Sequence, residues 1–161
     1  MTTMTESSSS GEPADPPAAA HTTSPPRTAA PAGNGSDGDP TPGISDQLLR
    51  LTVAHPTVGT CVVTVDGELD MLTAPLLDTC IRHQLAAVPK HLILDLQPVR
   101  FLGSTGLSCL LNARELARQT TGTQLHLAGL ANRLVERSLQ VTELLGLFET
   151  YPTLTDALAH V

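Results

Sequence analysis

The first 43 residues contain no valine, isoleucine, leucine or aromatic residue, yet they hold eight of the thirteen prolines in the chain. Such a segment cannot bury enough apolar surface to offset the conformational entropy lost on folding. We therefore expect residues 1–43 to be a disordered tail rich in Pro, Ser, Ala and Gly. Residues 45–161 are expected to form one compact domain of ordinary size.

Charge and composition exclude several classes of partner. The formal net charge is −7 and only 2% of the residues are aromatic, which argues against a surface that binds phosphate backbones or stacks on bases. No run of about 18 apolar residues is present, so no membrane-spanning helix is expected. The start of the chain lacks the features of a signal peptide. We therefore expect a cytoplasmic protein that contacts proteins or small molecules, with no direct nucleic acid or membrane partner.

The three cysteines, Cys61, Cys80 and Cys109, do not resemble a disulfide framework, because their number is odd and their spacing wide. No CxxC pair suggests zinc. Each cysteine lies in an apolar segment, which favours a role as a small apolar residue over the alternative, a redox switch that joins two of them.

Alternating apolar and polar periods beyond residue 45 predict the order ββαβαβαβα. Short apolar or β-branched runs indicate strands, and stripes at a spacing of three to four residues indicate helices. With right-handed crossovers this order gives an α/β fold, a mixed and mostly parallel sheet with helices packed against it. The predicted strands are an exposed first strand at 49–53, then 61–65 (ended by the turn pair Asp66-Gly67), 91–96, 124–127 and 147–151. The predicted helices start near Thr73, Ser104, Asn132 and Thr153. Their apolar residues are expected on one face of the first helix (Leu77, Ile81, Leu85 and Val88) and inward on the third (Leu134, Val135 and Leu139).

Ser104 and Thr105 follow a predicted buried strand and a loop, and they stand at the predicted start of a helix. Functional loops of such sheets lie at the carboxyl ends of strands, so this loop is the best candidate for a site. A hydroxyl at this position has two interpretations. It caps a free amide of the first turn, or it receives a phosphate, which would lie at the positive end of the helix. Spacing alone does not choose between them.

Three ordered elements of residues 45–161 resemble the anti-sigma factor antagonists of the STAS domain family. The first is the helix-opening turn, which in that family reads Asp-Ser-Ser-Gly-Leu. The second is a Gly-Glu-Leu-Asp run before the first helix, and the third is a late Gly-Leu-Phe. In this chain they stand as Gly103-Ser104-Thr105-Gly106-Leu107, Gly67-Glu68-Leu69-Asp70 and Gly146-Leu147-Phe148.

The resemblance implies a STAS fold and a regulatory function. In that family the protein binds an anti-sigma factor that is also a serine kinase, and a sigma factor is released. Phosphorylation of the first serine of the turn, which corresponds to Ser104, blocks the binding. The resemblance also implies that partner binding involves the loop of Glu68 and Asp70 and the turn residues Gly103, Thr105 and Gly106.

The turn departs from the family pattern at Gly103, where an aspartate is usual. An acidic group there could orient the serine hydroxyl or contact the kinase, and glycine instead permits a positive φ and a close backbone approach. For Asp70 a second interpretation is open, in which it only helps to start the first helix. With so few aromatic residues, partner binding is expected to use aliphatic and polar loops instead of aromatic anchors.

Other functions remain as alternatives. An enzyme is not expected, because no histidine stands in a metal-ligand spacing and the turn is not a nucleophile elbow. A phosphate- or nucleotide-binding module and a constitutive STAS adaptor without a phospho-switch remain open. We expect no cofactor, no metal and a monomeric protein. The sequence does not say whether a phosphatase resets the switch.

Overall fold

The computed structural model describes residues 48–161, and the predicted disordered tail, residues 1–43, lies outside them. The described residues form six strands, four α-helices and one 3₁₀ turn. In chain order these are β1 Leu49–Ala54, β2 Thr60–Leu69, α1 Ala74–Leu85, β3 His91–Asp95, β4 Val99–Leu102, α2 Ser104–Gln119, β5 Gln124–Ala128, α3 Arg133–Val141, the 3₁₀ turn Leu145–Leu147, β6 Glu149–Tyr151 and α4 Leu154–His160.

The strands form one mixed sheet in the order β1-β2-β3-β5-β6, with β4 also paired to β2. Only the β1–β2 pair is antiparallel; the four other pairings are parallel. The predicted α/β class with a mostly parallel sheet is therefore confirmed. Strand β2 is ten residues long, and it pairs with β3 along its first half and with β4 near its end.

The predicted turn at Asp66-Gly67 is wrong, because β2 continues through it to Leu69. Gly67 has a φ of 126° and lies where the β2–β4 register shifts. A Cβ at Gly67 would stand 2.0 Å from the Leu48 carbonyl oxygen. The glycine therefore marks an irregularity inside a strand, where the backbones approach closely, and not a hairpin turn.

Strand β4 is missing from the predicted order, since its four residues follow β3 after only a short loop. Four other details also differ. The last strand starts at Glu149, after a 3₁₀ turn. Leu134 is 37% exposed, and Val88 lies beyond the end of α1 with a φ of 49°. Leu49 of the first strand, predicted to be exposed, is buried.

Helices cover the two faces of the sheet unequally. Helices α1, α2 and α3 pack on the face formed by alternate residues of the central strands, and α4 packs on the other face near β5 and β6. Strand β3 has no exposed face, because its residues from Leu92 to Asp95 are all buried, as expected for a central strand covered on both sides. No helix of the described residues is long and apolar enough to cross a bilayer.

The three cysteines of the domain are free thiols. Burial raises the pKa of each thiol, and the pKa of Cys109 rises to about 11, with the carboxylate of Asp78 adding to the effect of burial. A thiol with a raised pKa carries little thiolate at neutral pH, so the structure favours the packing role over the redox switch.

His126 lies on the face covered by α4 and is 5% exposed. Its Nε2 lies 3.1 Å from Nδ1 of His91, and its ring lies 5.8 Å from the ring of Tyr151. Burial, followed by the nearby His91, lowers the pKa of His126 below its ordinary value of 6.5; Glu149 opposes this shift and His160 adds to it. The folded protein therefore favours the neutral imidazole.

We expect the free energy of unfolding to fall as the pH drops below 6.5. The unfolded chain then takes up a proton that folded His126 does not, with a slope of up to about 1.4 kcal/mol per pH unit. Well above pH 6.5, His126 is neutral in both the folded and the unfolded chain, so it no longer lowers the free energy of unfolding. Urea unfolding between about pH 7.5 and pH 5.5 measures the slope. His126→Gln should flatten it and His83→Gln, at an exposed position, should not; equal slopes in the two variants would contradict the assignment.

Candidate functional site

Ser104 is the first residue of α2, at the carboxyl ends of β2 and β4. The preceding residue, Gly103, has a φ of −83° and a ψ of 174° and occupies the N-cap position. The first hydrogen bond of the helix joins the Leu107 N–H to the Gly103 carbonyl, 3.0 Å apart. The amides of residues 104–106 therefore precede the helical ladder, at the positive end of a 16-residue helix.

The side chain of Ser104 is exposed, and its hydroxyl forms no hydrogen bond to any other residue of 48–161. The Ser108 hydroxyl, one turn later, instead donates to the Ser104 carbonyl oxygen at 3.1 Å. Of the two interpretations raised by the sequence, capping by Ser104 is therefore not what the structure shows. The hydroxyl is accessible, and a group attached to it would lie near unbonded amides.

The loop of Glu68 and Asp70 lies directly beside this turn. The Gly103 N–H donates to the Leu69 carbonyl at 2.9 Å, and Leu69 pairs with Leu102 across β2 and β4. These two segments are far apart in the sequence, and the parallel pairing of β4 with β2 brings them together.

Asp70 organises the connection from β2 to α1. Its Oδ1 accepts hydrogen bonds from the amides of Leu72 and Thr73, at 2.9 and 3.1 Å. The Thr73 hydroxyl accepts from the Asp70 N–H and donates to the Glu68 carbonyl at 2.7 Å. Thr73 holds the predicted N-cap position, but its side chain makes no capping bond to α1. Asp70 therefore holds together the loop that leads into α1.

Gly103 does not use the conformational freedom of glycine, since its φ of −83° is open to any residue. Its missing side chain matters for a different reason. A Cβ at Gly103 would lie 3.2 Å from Cε1 of Phe101, so the Phe101 ring rests over the glycine. Phe101 is 50% exposed. The surface beside Ser104 therefore does present an aromatic side chain, contrary to the expectation from composition.

Gly106 is buried under the first turn of α2. A Cβ there would stand 2.6 Å from the Leu69 carbonyl oxygen and 2.9 Å from Cδ1 of Leu102. Glycine thus allows the start of α2 to approach the end of β2 closely, which fixes the height of Ser104 above the sheet.

Exposed apolar side chains lie in the loop before α1 and in β4, the two segments next to the Ser104 turn. Met71 and Leu72, in the loop before α1, are 71% and 58% exposed. A shallow and mainly apolar groove of about 410 Å³ runs between α1 and α2 from Met71 to Asn112, and Thr105 and Ser108 line it. We call Met71, Leu72, Phe101, Ser104 and Thr105 the Ser104 face. Contiguous apolar exposure of this kind is typical of protein interaction sites.

Nothing in residues 48–161 brings together three side chains able to ligate a metal ion. Met71, Leu72 and Phe101 are not among the predicted site residues, because an apolar residue in a short loop or strand looks the same in sequence whether it is buried or exposed.

Comparison with known proteins identifies relatives of this domain. A sequence model of the STAS domain matches residues 52–157. The chain is 34% identical over 113 residues to the anti-sigma-F factor antagonist RsfB of Mycobacterium tuberculosis, a match that covers 70% of this chain and 89% of RsfB. An anti-sigma factor antagonist from Mycobacterium paratuberculosis, solved as a crystal structure, is 38% identical with a TM-score of 0.61 and covers 70% of this chain and 93% of its own.

A more distant structure shares the fold. The Bacillus cell fate determinant SpoIIAA in its phosphorylated form is 18% identical with a TM-score of 0.54, and the match covers 69% of this chain and 98% of SpoIIAA.

Proposed function

The chain belongs to the STAS domain family, and we propose that it is an anti-sigma factor antagonist switched by phosphorylation of Ser104. In its unmodified form it binds an anti-sigma factor that is also a serine kinase, and the sigma factor is released. Transfer of a phosphate to Ser104 ends that binding. The observation that carries this proposal is the accessible, unbonded hydroxyl of Ser104 amid exposed apolar side chains. The names of the two mycobacterial relatives support the regulatory class.

Phosphate on Ser104 would act locally. It adds about −1.5 to −2 charges and three strong acceptor oxygens. The unbonded amides of the first turn of α2 and the helix dipole would accommodate that charge without loss of the fold. The same charge would lie on the face that carries Met71, Leu72 and Phe101, side chains that can pack against a partner only if the contact excludes water. The modification therefore opposes binding while leaving the domain folded.

The residues around Ser104 have different parts in this proposal. Thr105 lines the apolar groove and presents a second hydroxyl to the partner. Glu68 and Asp70 supply negative charge at the rim. Gly103 and Gly106 act through the backbone, by leaving room for the Phe101 ring and by seating α2 on β2. Asp70→Asn is the suitable variant for the charge at the rim, because it removes the charge and keeps the oxygen that holds the loop.

The cellular setting is part of the same proposal. We expect the protein to act as a cytoplasmic monomer, with a phosphatase as a further partner where the switch is reset.

Phosphate mapping tests the assignment of the acceptor. After incubation of the full chain with its cognate kinase and ATP, fragmentation mass spectrometry should find one phosphate, on Ser104. Thr105 and Ser108 are the matched competitors, because both hydroxyls lie on the first turns of α2. Modification of either of them with Ser104 untouched would overturn the assignment.

Phe101→Ala should weaken binding to the kinase by about tenfold or more, since a half-exposed aromatic ring beside the acceptor has the features of an interface anchor. Titration calorimetry with the purified kinase measures the change. Leu147→Ala is the control, because Leu147 is 44% exposed and lies near the amino end of β6, away from the Ser104 face. Equal affinities for Phe101→Ala and the unaltered chain would remove Phe101 from the interface.

A further inference from the structure

A groove separate from the Ser104 face lies at the amino end of β5, beside the edge of the sheet. It has a volume of about 590 Å³ and is formed by α2, β5, the 3₁₀ turn, β6 and α4. Ser104 stands at the carboxyl ends of β2 and β4, so the two sites lie at opposite ends of the parallel strands. The proposed switch uses none of the groove residues. We call it the Arg114 groove.

Two arginines form one wall of the Arg114 groove. Arg114 and Arg118 are one helical turn apart on α2. The Nε of Arg114 donates to the Leu147 carbonyl at 2.7 Å, which fixes that side chain and leaves its two terminal nitrogens for another acceptor. Arg118 lies 4.0 Å from Glu115, and both side chains are more than half exposed. Such a contact neutralises little of the guanidinium charge.

Three rings form the opposite wall. Tyr151 lies 5.8 Å from His126 and 5.1 Å from His160, measured between ring centroids. These rings combine apolar faces with hydrogen-bonding groups, the imidazole nitrogens and the tyrosine hydroxyl. Phe148 adds a fourth ring to the lining.

The strand edge gives further polar groups. Strand β6 pairs with β5 only from His126 onward, opposite Glu149. Gln124 and Leu125 line the groove, and on that side they have no strand partner among residues 48–161. The Gln124 N–H donates to the Lys90 carbonyl at 2.8 Å on the β3 side of the strand, so Gln124 gives the groove a polar group through its side-chain amide.

We infer that the Arg114 groove binds a small molecule carrying a phosphate or carboxylate group. Paired guanidinium groups match the geometry of such oxyanions. The volume lies within the range of small-molecule sites, and rings beside a few polar groups are the usual lining of such sites. Glu149 is the one acidic residue in the lining, against two arginines.

Titration of the full chain followed by ¹H–¹⁵N NMR tests the inference, with citrate and inorganic phosphate as separate probes. Saturable shifts should appear at Gln124, His126 and the side-chain Nε–H of Arg114. Arg114→Gln/Arg118→Gln should weaken binding at least tenfold. The matched control is Arg133→Gln/Arg137→Gln, which removes the same charge at the same spacing from α3.

Two further variants keep the test independent of folding. Arg118→Gln removes a side chain without a short contact and should still weaken binding severalfold. Glu149→Gln removes the opposing charge and should strengthen binding, which no structural damage would do. Equal losses in the two double variants, or no saturation of the unaltered chain with either probe at about 10 mM, would overturn the proposal.

Discussion

Ser104→Asp is expected to lower the affinity for the partner kinase by about a hundredfold or more, whereas Ser104→Ala should bind as the unaltered chain does. The aspartate places a carboxylate on the face that carries Met71, Leu72 and Phe101, where a partner surface would strip it of water. A hundredfold loss corresponds to about 2.7 kcal/mol, the size expected for a buried charge without a partner. The alanine removes a hydroxyl that forms no hydrogen bond within residues 48–161, so nothing is left unsatisfied.

The two Ser104 variants also separate the switch from the constitutive adaptor. Calorimetric titration of the kinase with each variant gives the affinities, and circular dichroism shows that both remain folded. An adaptor without a switch would bind equally through Ser104→Ala and Ser104→Asp. That outcome would be compatible with the STAS fold, but it would show that phosphorylation of Ser104 does not control partner binding.

Gly106→Ala is expected to destabilise the domain by about 1–2 kcal/mol, even though alanine is the better helix former. The added Cβ would lie 2.6 Å from the Leu69 carbonyl oxygen, a backbone atom that cannot rotate away. Overpacking of this kind costs about 1–3 kcal/mol and sometimes more, and the gain in helix propensity is only about 1 kcal/mol. Relief of the contact would shift the start of α2, so kinase affinity should fall as well.

Urea and thermal unfolding measure the effect of Gly106→Ala, with a decrease in the melting temperature of roughly 4–8 °C. Gly146→Ala is the matched control, since a Cβ at Gly146 would meet no atom within 4 Å. Unchanged stability of Gly106→Ala would show that α2 does not depend on this close approach.

Local patterns predicted the parts of the fold that depend on local chemistry. The helix predicted to start near Asn132 does start there, and the Asn132 side chain accepts a hydrogen bond from the Leu134 N–H. Thr153 and Asp156 likewise form a capping box at the start of α4. The inner strand β3 was recognised because an almost unbroken apolar run is what a strand covered on both faces requires.

The features that escaped prediction depend on contacts between distant segments. Gly67 looks like a turn residue until the Leu48 carbonyl is placed against it. Strand β4 exists because the end of β2 offers it a pairing edge, which four residues alone do not reveal. The motif identifies the Ser104 turn in the sequence. The exposure of Phe101 and the position of the Asp70 loop beside this turn depend on the pairing of β4 with β2, which the sequence does not reveal. The Arg114 groove combines five elements, so no single segment carries its signal.

Release of a sigma factor tests the central claim most directly. The full chain would be added to a preformed complex of the anti-sigma kinase and a fluorescently labelled sigma factor, and anisotropy would report the free sigma factor. The account predicts that the unmodified chain releases the sigma factor in a concentration-dependent manner and that the chain phosphorylated on Ser104 does not. Failure of the unmodified chain to release it at any excess, or equal release by both forms, would contradict the account.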